Sequence, residues 1–405
     1  MSGFVVGQVG MRMGFGAAKV LYAQDMLDRL IVDTYFDKNG TRARLPYLGQ
    51  KLSAKLGKYD AGIPSARVSS DWTGALLMRY LLKHATPIRA FTFANHRLNQ
   101  RLIRYAKGKT PGNYYGFDTS SAEFLRWGVP RGWRASLEQC VAPRSAQIDM
   151  WRLFQDKYGM DIAPYMEYCQ IQQERERKEW QLAGRIIVPS EYVRQELLKE
   201  HVPAGKIRVV PYGYTASQDK RLIREALDKK ADKKDEPVRI LFAGNSGYRK
   251  GLADLLVLAE KLKAEPVHFL IAGKLEKEAT DLVDQYKGTN VTYLGKLSKE
   301  ALINEYINAD VFFFPSYLEG SALVLMEAMS WGLPIVTTHQ SGSTVEHGRN
   351  GLLSDAGDVQ TMEAHLLRLI HRPDERFVMG RHSLERSGKF TMAAYGKNLV
   401  EALTQ

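Results

Sequence analysis

The chain is poor in cysteine and has no long apolar run. Its 405 residues include two cysteines, Cys140 and Cys169, which are too few for a disulfide framework and lack the paired spacing of a zinc site. No stretch reaches the ~20 apolar residues that span a bilayer, and the opening residues MSGFVVGQVG lack a basic region followed by a cleavable apolar segment. We therefore expect both thiols to be buried or incidental and the chain to reside in the cytoplasm.

Motifs of several reaction classes are also missing. The chain has no D-x-D, the compact carboxylate pair that often holds a divalent metal against a diphosphate, and it has neither GxSxG nor HExxH. Zinc-finger, RNA-recognition and helix-turn-helix signatures are absent as well. These absences argue against hydrolase triads, zinc proteases and a nucleic-acid partner. They also predict that the protein needs no metal and no cofactor.

What is present is the composition of a globular protein. Apolar residues make up 44% of the chain and charged residues 25%, with a mean hydropathy of −0.32. At roughly 100 to 200 residues per domain, the length predicts two domains with a cleft between them.

The positive charge is concentrated in one segment. The formal net charge is +12, and residues 1–200 contribute +11 of it, with 30 basic and 19 acidic side chains. Residues 51–134 alone carry 15 basic and 4 acidic side chains. Such a segment attracts an anionic partner, which is either the phosphate of a substrate, the headgroups of an acidic membrane leaflet or, third in rank, nucleic acid.

Within the basic segment, residues 95–107 (NHRLNQRLIRYAK) are predicted to form a short helix. Arg97, Arg101 and Arg104 recur along one side of it, with Leu98 and Leu102 beside them. This pattern suits a helix lying on a membrane surface. It suits equally a helix whose leucines face the protein core and whose arginines are solvated, so the sequence leaves both interpretations open.

The C-terminal half alternates apolar runs with amphipathic patterns, which is typical of βαβ units in a doubly wound parallel sheet. Strands are predicted at residues 238–244, 267–272, 291–294, 310–315, 334–338 and 351–353, and helices at 251–264, 277–286, 299–308 and 321–331. The N-terminal half begins with a strand at 4–9, a glycine-rich turn and a helix from residue 17, with further strands at 88–94 and 185–189. Residues 218–236 are predicted to be a solvated linker or a surface helix, and a domain boundary is placed near residue 211.

Two acidic residues follow the buried strand at 310–315. Glu319 lies in the loop at the carboxyl end of that strand, where open α/β sheets bind ligands. Ser321 is predicted to cap the next helix, which would leave the backbone N–H groups of Ala322 and Leu323 free for a phosphate. Glu327 lies within this nearly all-apolar helix and therefore needs a partner, either a ligand hydroxyl or a structural Lys or Arg.

A second candidate site is the segment GNSGYRKG between the strand at 238–244 and the next helix. It matches neither the P-loop nor the dinucleotide fingerprint. Arg249 and Lys250 lie at a helix N-terminus, where the macrodipole disfavours cations. A bound diphosphate would explain this arrangement.

Together these motifs resemble the retaining glycosyltransferases of family 4, which have the GT-B fold of two Rossmann-like domains. The family's E-x7-E motif is matched by Glu319 and Glu327, and its strand-to-helix basic pair by Arg249 and Lys250, followed by Gly251. Three further stretches also resemble the family: the donor-site tail at residues 341–353, the interdomain stretch at 184–214 and the final crossing helix at 391–403. The resemblance covers the C-terminal half almost end to end.

The resemblance implies a domain division and a role for each matched residue. Residues 1–210, completed by residues 391–405, would bind the acceptor, and residues 211–390 would bind a nucleotide-sugar donor. Glu327 would bind the ribose, Glu319 would contact the donor sugar, and Arg249 and Lys250 would hold the diphosphate. The other implied donor-site positions are Gly320, Ser321, Ala322 and Leu323 for sugar and phosphate, Gly295 and Leu297 for the base, and Gly14 and Gly16 from the opposite domain.

The implied chemistry is transfer with retention of configuration. The bond from C1 to phosphate breaks early, and the departing diphosphate takes the proton from the acceptor hydroxyl on the same face. Unlike a retaining glycosidase, whose two acids lie ~5 Å apart, this front-face route needs no carboxylate nucleophile.

The chain departs from the family pattern at two places. Many relatives have Arg where this chain has Asn245, and Arg249 is the expected substitute. Many also place a His at the end of an N-domain strand, where this chain offers Asp118, with His96 as the other candidate. Asp118 is favoured because it is the only acid between Asp71 and Glu123, and a turn or capping aspartate is the alternative interpretation.

The sequence thus predicts a retaining hexosyltransferase that uses a nucleotide-diphosphate sugar. The expected acceptor is a glycan or lipid-linked hydroxyl in surface polysaccharide or lipopolysaccharide synthesis, at the inner face of the plasma membrane. His96, Arg97, Arg101 and Arg104 would form an acceptor or membrane patch. The alternatives are a soluble glycosyltransferase acting on a small phosphorylated metabolite, and a nonenzymatic nucleotide-sugar-binding protein.

Overall fold

The structure is a computed structural model that describes residues 3–37, 57, 59–215, 220–232, 236–286 and 288–405. Parts of the basic segment at 51–134 and of the stretch at 218–236 lie outside the described residues. Two parallel sheets, each flanked by helices, form the two halves of the molecule.

The first sheet has seven strands in the order β3-β2-β1-β4-β5-β6-β7. Its strands are β1 (Phe4–Gln8), β2 (Leu27–Val32), β3 (Val68–Ser70), β4 (Asn113–Phe117), β5 (Arg134–Glu138), β6 (Arg185–Val188) and β7 (Ile207–Val209). The helices around it are α1 (Gly16–Ala23), α2 (Trp72–His84), α3 (Pro87–Ala106), α4 (Ala122–Gly128), α5 (Arg144–Tyr158), α6 (Ala163–Leu182) and α7 (Glu191–Lys199).

The second sheet has six strands in the order β10-β9-β8-β11-β12-β13. Its strands are β8 (Val238–Ala243), β9 (Val267–Ala272), β10 (Val291–Gly295), β11 (Val311–Phe314), β12 (Ile335–Thr338) and β13 (Gly351–Ser354). The remaining helices are α8 (Lys220–Asp232), α9 (Leu252–Lys261), α10 (Thr280–Gln285), α11 (Lys299–Asn308), α12 (Leu323–Ser330), α13 (Val359–His371), α14 (Pro373–Ser387) and α15 (Met392–Thr404). In both sheets every strand pair is parallel.

The second sheet is buried on both faces, as its continuous apolar strands require. All four residues of β11 (VFFF) are buried, and they share one core with β8, β9 and α9. The predicted strands and helices of this half agree with the structure to within a few residues at their ends. Residues 220–232, predicted to be linker or surface helix, form α8, whose Ala226 is buried in the same core.

The last helix returns to the first sheet. Tyr395, Leu399 and Leu403 of α15 share a core with residues of β1 and α1. The C-terminal segment therefore packs with the N-terminal half of the molecule.

The strand predicted at residues 88–94 is wrong, because these residues form the first half of α3. Thr86 caps this helix by accepting a hydrogen bond from the backbone N–H of Arg89, and Pro87 occupies its first turn. Buried side chains recur at helical spacing from Ala90 through Ala94, Leu98 and Leu102. Burial at this spacing overrides the short alternating pattern that suggested a strand.

The helix predicted at residues 95–107 is the second half of α3, and its apolar face packs on the protein. Leu98 and Leu102 lie in a core with Val5 and Ile31. The interpretation of this helix as one that rests its apolar face on a membrane is therefore wrong. No helix in the described part of the chain is both long and apolar enough to cross a membrane.

Candidate functional site

The turn after β8 carries two basic side chains towards the carboxyl edge of the second sheet. Residues Tyr248–Lys250 form a short 3-10 turn, and Gly251 follows with φ of +79°. A Cβ atom at Gly251 would lie 2.1 Å from the carbonyl oxygen of Pro315. Glycine is therefore required here both by the left-handed backbone and by the close approach to the loop after β11.

Both basic side chains of this turn, Arg249 and Lys250, pair with Glu319. Its Oε1 atom accepts hydrogen bonds from Arg249 Nη1 at 2.8 Å and from Ser316 Oγ at 3.1 Å, and it also pairs with Lys250 Nζ. Arg249 additionally donates to the carbonyl of Leu318 at 2.8 Å. Burial and the neighbouring Arg249 lower the pKa of Lys250, while Glu319 opposes that effect. The cluster thus has two cations and one carboxylate at the edge of the cleft.

Glu327 lies on α12 and faces a cavity of about 540 Å³. Its Oε2 atom accepts a hydrogen bond from the Tyr306 hydroxyl at 3.2 Å, and burial raises the pKa of Glu327. Its hydrogen-bond partner is a neutral phenol, and no Lys or Arg in the described part of the chain forms an ion pair with Glu327, although Lys299 lines the same cavity. Leu297 and Leu323 also line this cavity, whereas Gly295 ends β10 and lies outside its described lining residues.

The predicted cap of α12 is wrong. Ala322 occupies the N-cap position, and the Ser321 Oγ atom is buried with no hydrogen-bond partner among the described residues. The backbone N–H of Ala322 donates to the carbonyl of Ser341 at 3.2 Å, so this group is not free for a phosphate as predicted. Ser321 remains available as a hydroxyl beside the cluster.

The first half of the molecule contacts the loop between β11 and α12 at Gly320. The Gly320 carbonyl accepts a hydrogen bond from Ser190 Oγ at 2.6 Å, and a Cβ atom at Gly320 would lie 1.8 Å from the carbonyl oxygen of Cys140. Only a residue without a side chain allows this contact.

The glycine-rich turn before α1 faces the same region. Met13, Gly14 and Phe15 adopt left-handed φ angles of 48°, 57° and 66°, and Gly16 begins α1. Met11 and Met13 of this turn share an apolar cluster with Leu323 of α12. The turn is therefore placed against the helix that carries Glu327.

Asp118 follows β4 and is completely buried. Its Oδ1 atom accepts from the backbone N–H of Cys140 at 3.2 Å, and its Oδ2 atom is buried without a hydrogen-bond partner among the described residues. His96, the other candidate, is exposed on α3 and contacts Gln100. The structure thus brings Asp118, and not His96, next to Cys140 and the loop between β11 and α12.

Two of the four arginines of α3 are engaged within the protein. Arg97 forms a two-point contact with Asp71, at 2.6 Å and 2.9 Å, which lowers the pKa of Asp71 to about 2. Arg101 donates to Ser69 Oγ and to the carbonyls of Val32 and Ser70. Of the predicted patch in this helix, Arg104 and His96 are exposed.

Sequence reasoning missed a contact network between the two halves. Asp254 of α9 is 1% exposed and accepts hydrogen bonds from Lys157 Nζ at 2.7 Å and Tyr317 OH at 2.6 Å. Phe154 of α5 packs edge-on against Tyr317, with ring centroids 4.8 Å apart. Asp254 and Lys157 are 97 residues apart, and no local pattern connects them.

A family model and known proteins with similar sequences match parts of the chain. Residues 223–386, which contain Arg249, Lys250, Glu319 and Glu327, match the family model described as glycosyl transferases group 1. The chain is 29% identical over 160 residues to the sulfoquinovosyl transferase SQD2 of Arabidopsis thaliana, covering 38% of this chain and 31% of that protein. It is 31% identical over 189 residues to the amylovoran biosynthesis glycosyltransferase AmsK of Erwinia amylovora, covering 44% and 45%. The chain thus spans less than half the length of these two relatives.

Among solved structures, Anabaena HepE in complex with UDP aligns over 100% of both chains with a TM-score of 0.62 and 14% identity. At this identity the likeness shows the fold alone. Both halves are parallel-sheet Rossmann-like domains in the GT-B arrangement, so the predicted fold class is confirmed. The family model adds a similarity to glycosyltransferases over the residues that carry the candidate site, and the curated relatives are glycosyltransferases similar to part of the chain.

Proposed function

We propose that the protein is a retaining glycosyltransferase that moves a hexose-type sugar from a nucleotide-diphosphate donor to an acceptor hydroxyl. The observation that carries the proposal is the convergence of Arg249 and Lys250 on Glu319, in the loop that leads into α12, the helix from which Glu327 faces its cavity. In a nucleotide sugar the diphosphate is bonded to the ribose. The two cations match the diphosphate, and the carboxylate of Glu327 matches the ribose hydroxyls. The group 1 match over the same residues supports the proposal.

In the proposed complex the nucleoside occupies the cavity between α11 and α12. Glu327 accepts hydrogen bonds from the ribose hydroxyls, with Tyr306 holding its carboxylate in place. Leu297 and Ile303 supply apolar surface for the base. A ligand hydroxyl that donates to this partly desolvated carboxylate would be worth about 1.5–3 kcal/mol.

The diphosphate is proposed to lie against Arg249 and Lys250. Both cations already point at one carboxylate oxygen of Glu319, so their charges are arranged before the donor arrives. Glu319 contacts the donor sugar and keeps the two cations in position. No metal and no cofactor is required in this proposal, because the leaving group is stabilised by side chains of the protein.

The reaction then proceeds on one face of the sugar. The bond between C1 and the phosphate oxygen breaks, and the acceptor oxygen forms a bond to C1 from the same side. The acceptor proton passes to the departing phosphate oxygen. Atoms and charge balance without a protein nucleophile, and the configuration at C1 is retained.

The proposed acceptor is a glycan or a lipid-linked glycan in the synthesis of surface polysaccharide or lipopolysaccharide. The name of AmsK, a biosynthesis glycosyltransferase for amylovoran, supports this class.

We also propose peripheral contact with the anionic inner leaflet. The exposed apolar residues Leu76, Leu77 and Tyr80 on α2, next to Arg79 and Lys83, support α2 rather than α3 as the contacting helix.

Liposome flotation tests the membrane contact. The protein should float with anionic vesicles and less well with neutral ones, and Leu76→Ser together with Tyr80→Ser should reduce flotation. A protein that stays in the aqueous fraction with both vesicle types would contradict the membrane contact and favour a soluble acceptor.

Thermal unfolding with UDP-, GDP-, ADP- and CDP-sugars tests the donor site. Ligand binding to the native state raises its stability by RT ln(1 + [L]/Kd), about 2.7 kcal/mol at a hundredfold excess over Kd. One nucleotide should stabilise the wild type and Glu363→Gln, a surface control, but not Glu327→Ala. If no nucleotide sugar stabilised the wild type, the proposed function would be wrong.

A further inference from the structure

The first half of the molecule contains a cavity that the group 1 match does not cover. It has a volume of about 440 Å³ and lies between the glycine-rich turn, α3 and the start of α5. Its polar lining residues are Arg12, Asp33, Asn95, Thr119, Ser120, Arg144 and Tyr168. Arg12 and Arg144 were not singled out in the sequence, because neither belongs to a recognisable motif.

Both arginines have unused hydrogen-bonding capacity. The guanidinium of Arg12 makes no hydrogen bond and no ion pair with the residues that the structure describes. Arg144 is 9% exposed, and its Nε atom has no hydrogen-bond partner in the described part of the chain, although Glu176 Oε1 lies 3.9 Å away. A buried N–H without a partner costs about 1–3 kcal/mol, so a ligand that accepts from it is favoured.

The acids around the cavity are occupied by the protein itself. Asp33 Oδ1 accepts from the backbone N–H of Gly10 at 2.9 Å, and burial raises the pKa of Asp33. Glu176 accepts from the backbone N–H of Arg144 at 2.8 Å and from Gln139 Nε2 at 3.0 Å, and burial raises the pKa of Glu176 to about 7. Asp118 does not line the cavity, although its Oδ2 atom has no partner in the described part of the chain; among the charged residues that line the cavity, unused capacity remains on the guanidinium donors.

The backbone at the cavity is held in a strained conformation. Thr119, a non-glycine residue, has φ of +61°. Glu179 stabilises this segment by accepting from the backbone N–H groups of Thr119 and Ser121, each at 2.7 Å. Such strain costs of order 1–3 kcal/mol and persists where the surrounding structure fixes it, often at a ligand site.

The cavity adjoins the loop between β11 and α12. Met11 and Met13, the residues on either side of Arg12, pack against the same apolar core as Cys140. Cys140 in turn contacts Gly320, the residue after Glu319. A group bound by Arg12 would therefore lie beside the proposed reaction centre.

We propose that this cavity binds an oxyanion group, phosphate or carboxylate, carried by the acceptor next to the hydroxyl that is glycosylated. The planar guanidinium of Arg144 and the unpaired guanidinium of Arg12 match the two-point geometry of such groups. The inference deepens the proposed function and rests on it, because it names the acceptor's chemical class. The acceptor glycan then carries a phosphate or a carboxylate beside the reacting hydroxyl and is not neutral.

Inorganic phosphate is the first probe, with chloride at matched ionic strength as the reference and glucuronate as the carboxylate arm. The thermal unfolding midpoint is followed against probe concentration in Arg249→Met, which weakens phosphate binding at the proposed donor site. The half-saturating concentration should rise at least tenfold in Arg249→Met/Arg12→Met and in Arg249→Met/Arg144→Lys. A third double variant with Arg208→Met, an arginine on β7 far from the cavity, should match Arg249→Met alone.

The outcomes separate this inference from the proposed function. An unchanged response in both cavity variants would overturn the oxyanion site, while nucleotide binding by wild-type protein would still support the donor site. A response present in the wild type but lost in Arg249→Met alone would assign phosphate to the donor site and also overturn the inference. Retained nucleotide-sugar binding and far-UV circular dichroism in single Arg12→Met and Arg144→Lys variants exclude misfolding as the cause of a lost response.

Discussion

The two halves of the molecule place their acidic side chains differently. In the second half, Glu327 lines a cavity, and Glu319, whose side chain is 13% exposed, is paired with two cations at the edge of the sheet. In the first half, Glu138, Glu176 and Glu179 are 2%, 0% and 0% exposed. Each of these three acids accepts at least two hydrogen bonds from groups within the protein.

This difference in burial indicates two roles: the acids of the second half bind a ligand, and the buried acids of the first half hold the backbone in place. Glu176 and Glu179 hold the backbone of Arg144, Thr119 and Ser121, so they fix the wall of the first cavity without reaching into it. Glu319 and Glu327 have no such enclosure and keep capacity for a donor. If this distinction is correct, substitution in the second half affects activity, and substitution of the buried acids affects mainly stability.

The largest expected effect is on catalysis. Glu319→Ala should lower the rate of nucleotide-sugar hydrolysis without acceptor by about 10²–10³-fold, as for the loss of one preorganised charge-stabilising group. The physical reason is that Arg249 and Lys250 lose the carboxylate that orients them. Release of nucleoside diphosphate measures the rate, and Glu363→Gln is the control. A loss below threefold would mean that Glu319 is not part of the machinery.

The next effect concerns the turn that carries the cations. Gly251→Ala should weaken nucleotide binding at least tenfold, because the new Cβ would lie 2.1 Å from the Pro315 carbonyl oxygen. Gly108→Ala is a matched control in the first half of the molecule, since Gly108 has φ of +78° but nothing within 4 Å of its Cβ position. Calorimetric titration of the stabilising nucleotide compares the two variants. Equal weakening in both would show that backbone strain, and not the contact with Pro315, matters.

A smaller effect is expected at the contact between the halves. Lys157→Met should lower the free energy of unfolding by about 2 kcal/mol, because it leaves the buried Asp254 carboxylate without its cation. Lys261→Met, which removes the exposed partner of Glu363, should cost about 0–1 kcal/mol. Denaturant unfolding provides both values. Indistinguishable losses would mean that the Asp254 network adds little to the interface.

The smallest expected effect is on how the free energy of unfolding changes with pH, through the buried acid Glu179. Burial raises the pKa of Glu179 from 4.5 to about 8, so the folded state keeps its proton to higher pH than the unfolded state. The stability contribution of this proton is fully present below pH 4.5 and is lost as pH rises through 8. Glu179→Gln should therefore flatten the fall in stability between these values, by at most about 1.4 kcal/mol per pH unit.

Glu174→Gln, an exposed position on the same helix, should leave that slope unchanged. Denaturant unfolding at a series of pH values compares the two variants with the wild type. A wild-type slope identical to that of Glu179→Gln would contradict the buried, protonated state.

The strands and the candidate site of the second half could be predicted from the sequence because they depend on patterns among neighbouring residues. Apolar runs such as β11 and the spacing of Glu319 and Glu327 are properties of neighbouring residues. The sequence predicted that Glu327 needs a partner without saying which one. In the structure the hydroxyl of Tyr306, on the preceding helix, donates a hydrogen bond to it. The cap predicted at Ser321 failed because the tertiary contact between Ala322 and Ser341 sets where α12 begins.

The first half could be predicted less well, because its contacts are distant in sequence. Arg12 and Arg144 meet at one cavity although 132 residues separate them. Nothing local distinguishes them from the many solvated arginines of the basic half. The strand predicted at residues 88–94 was avoidable, since Thr86 followed by Pro87 is a helix start signal.

The most direct test is a crystal structure of the protein with the nucleoside diphosphate that stabilises it. The account predicts the diphosphate within hydrogen-bond distance of Arg249 and Lys250, and the ribose hydroxyls on Glu327 in the cavity beside Tyr306. A nucleotide bound elsewhere, with Arg249, Lys250 and Glu327 making no contact to it, would contradict the proposed donor site.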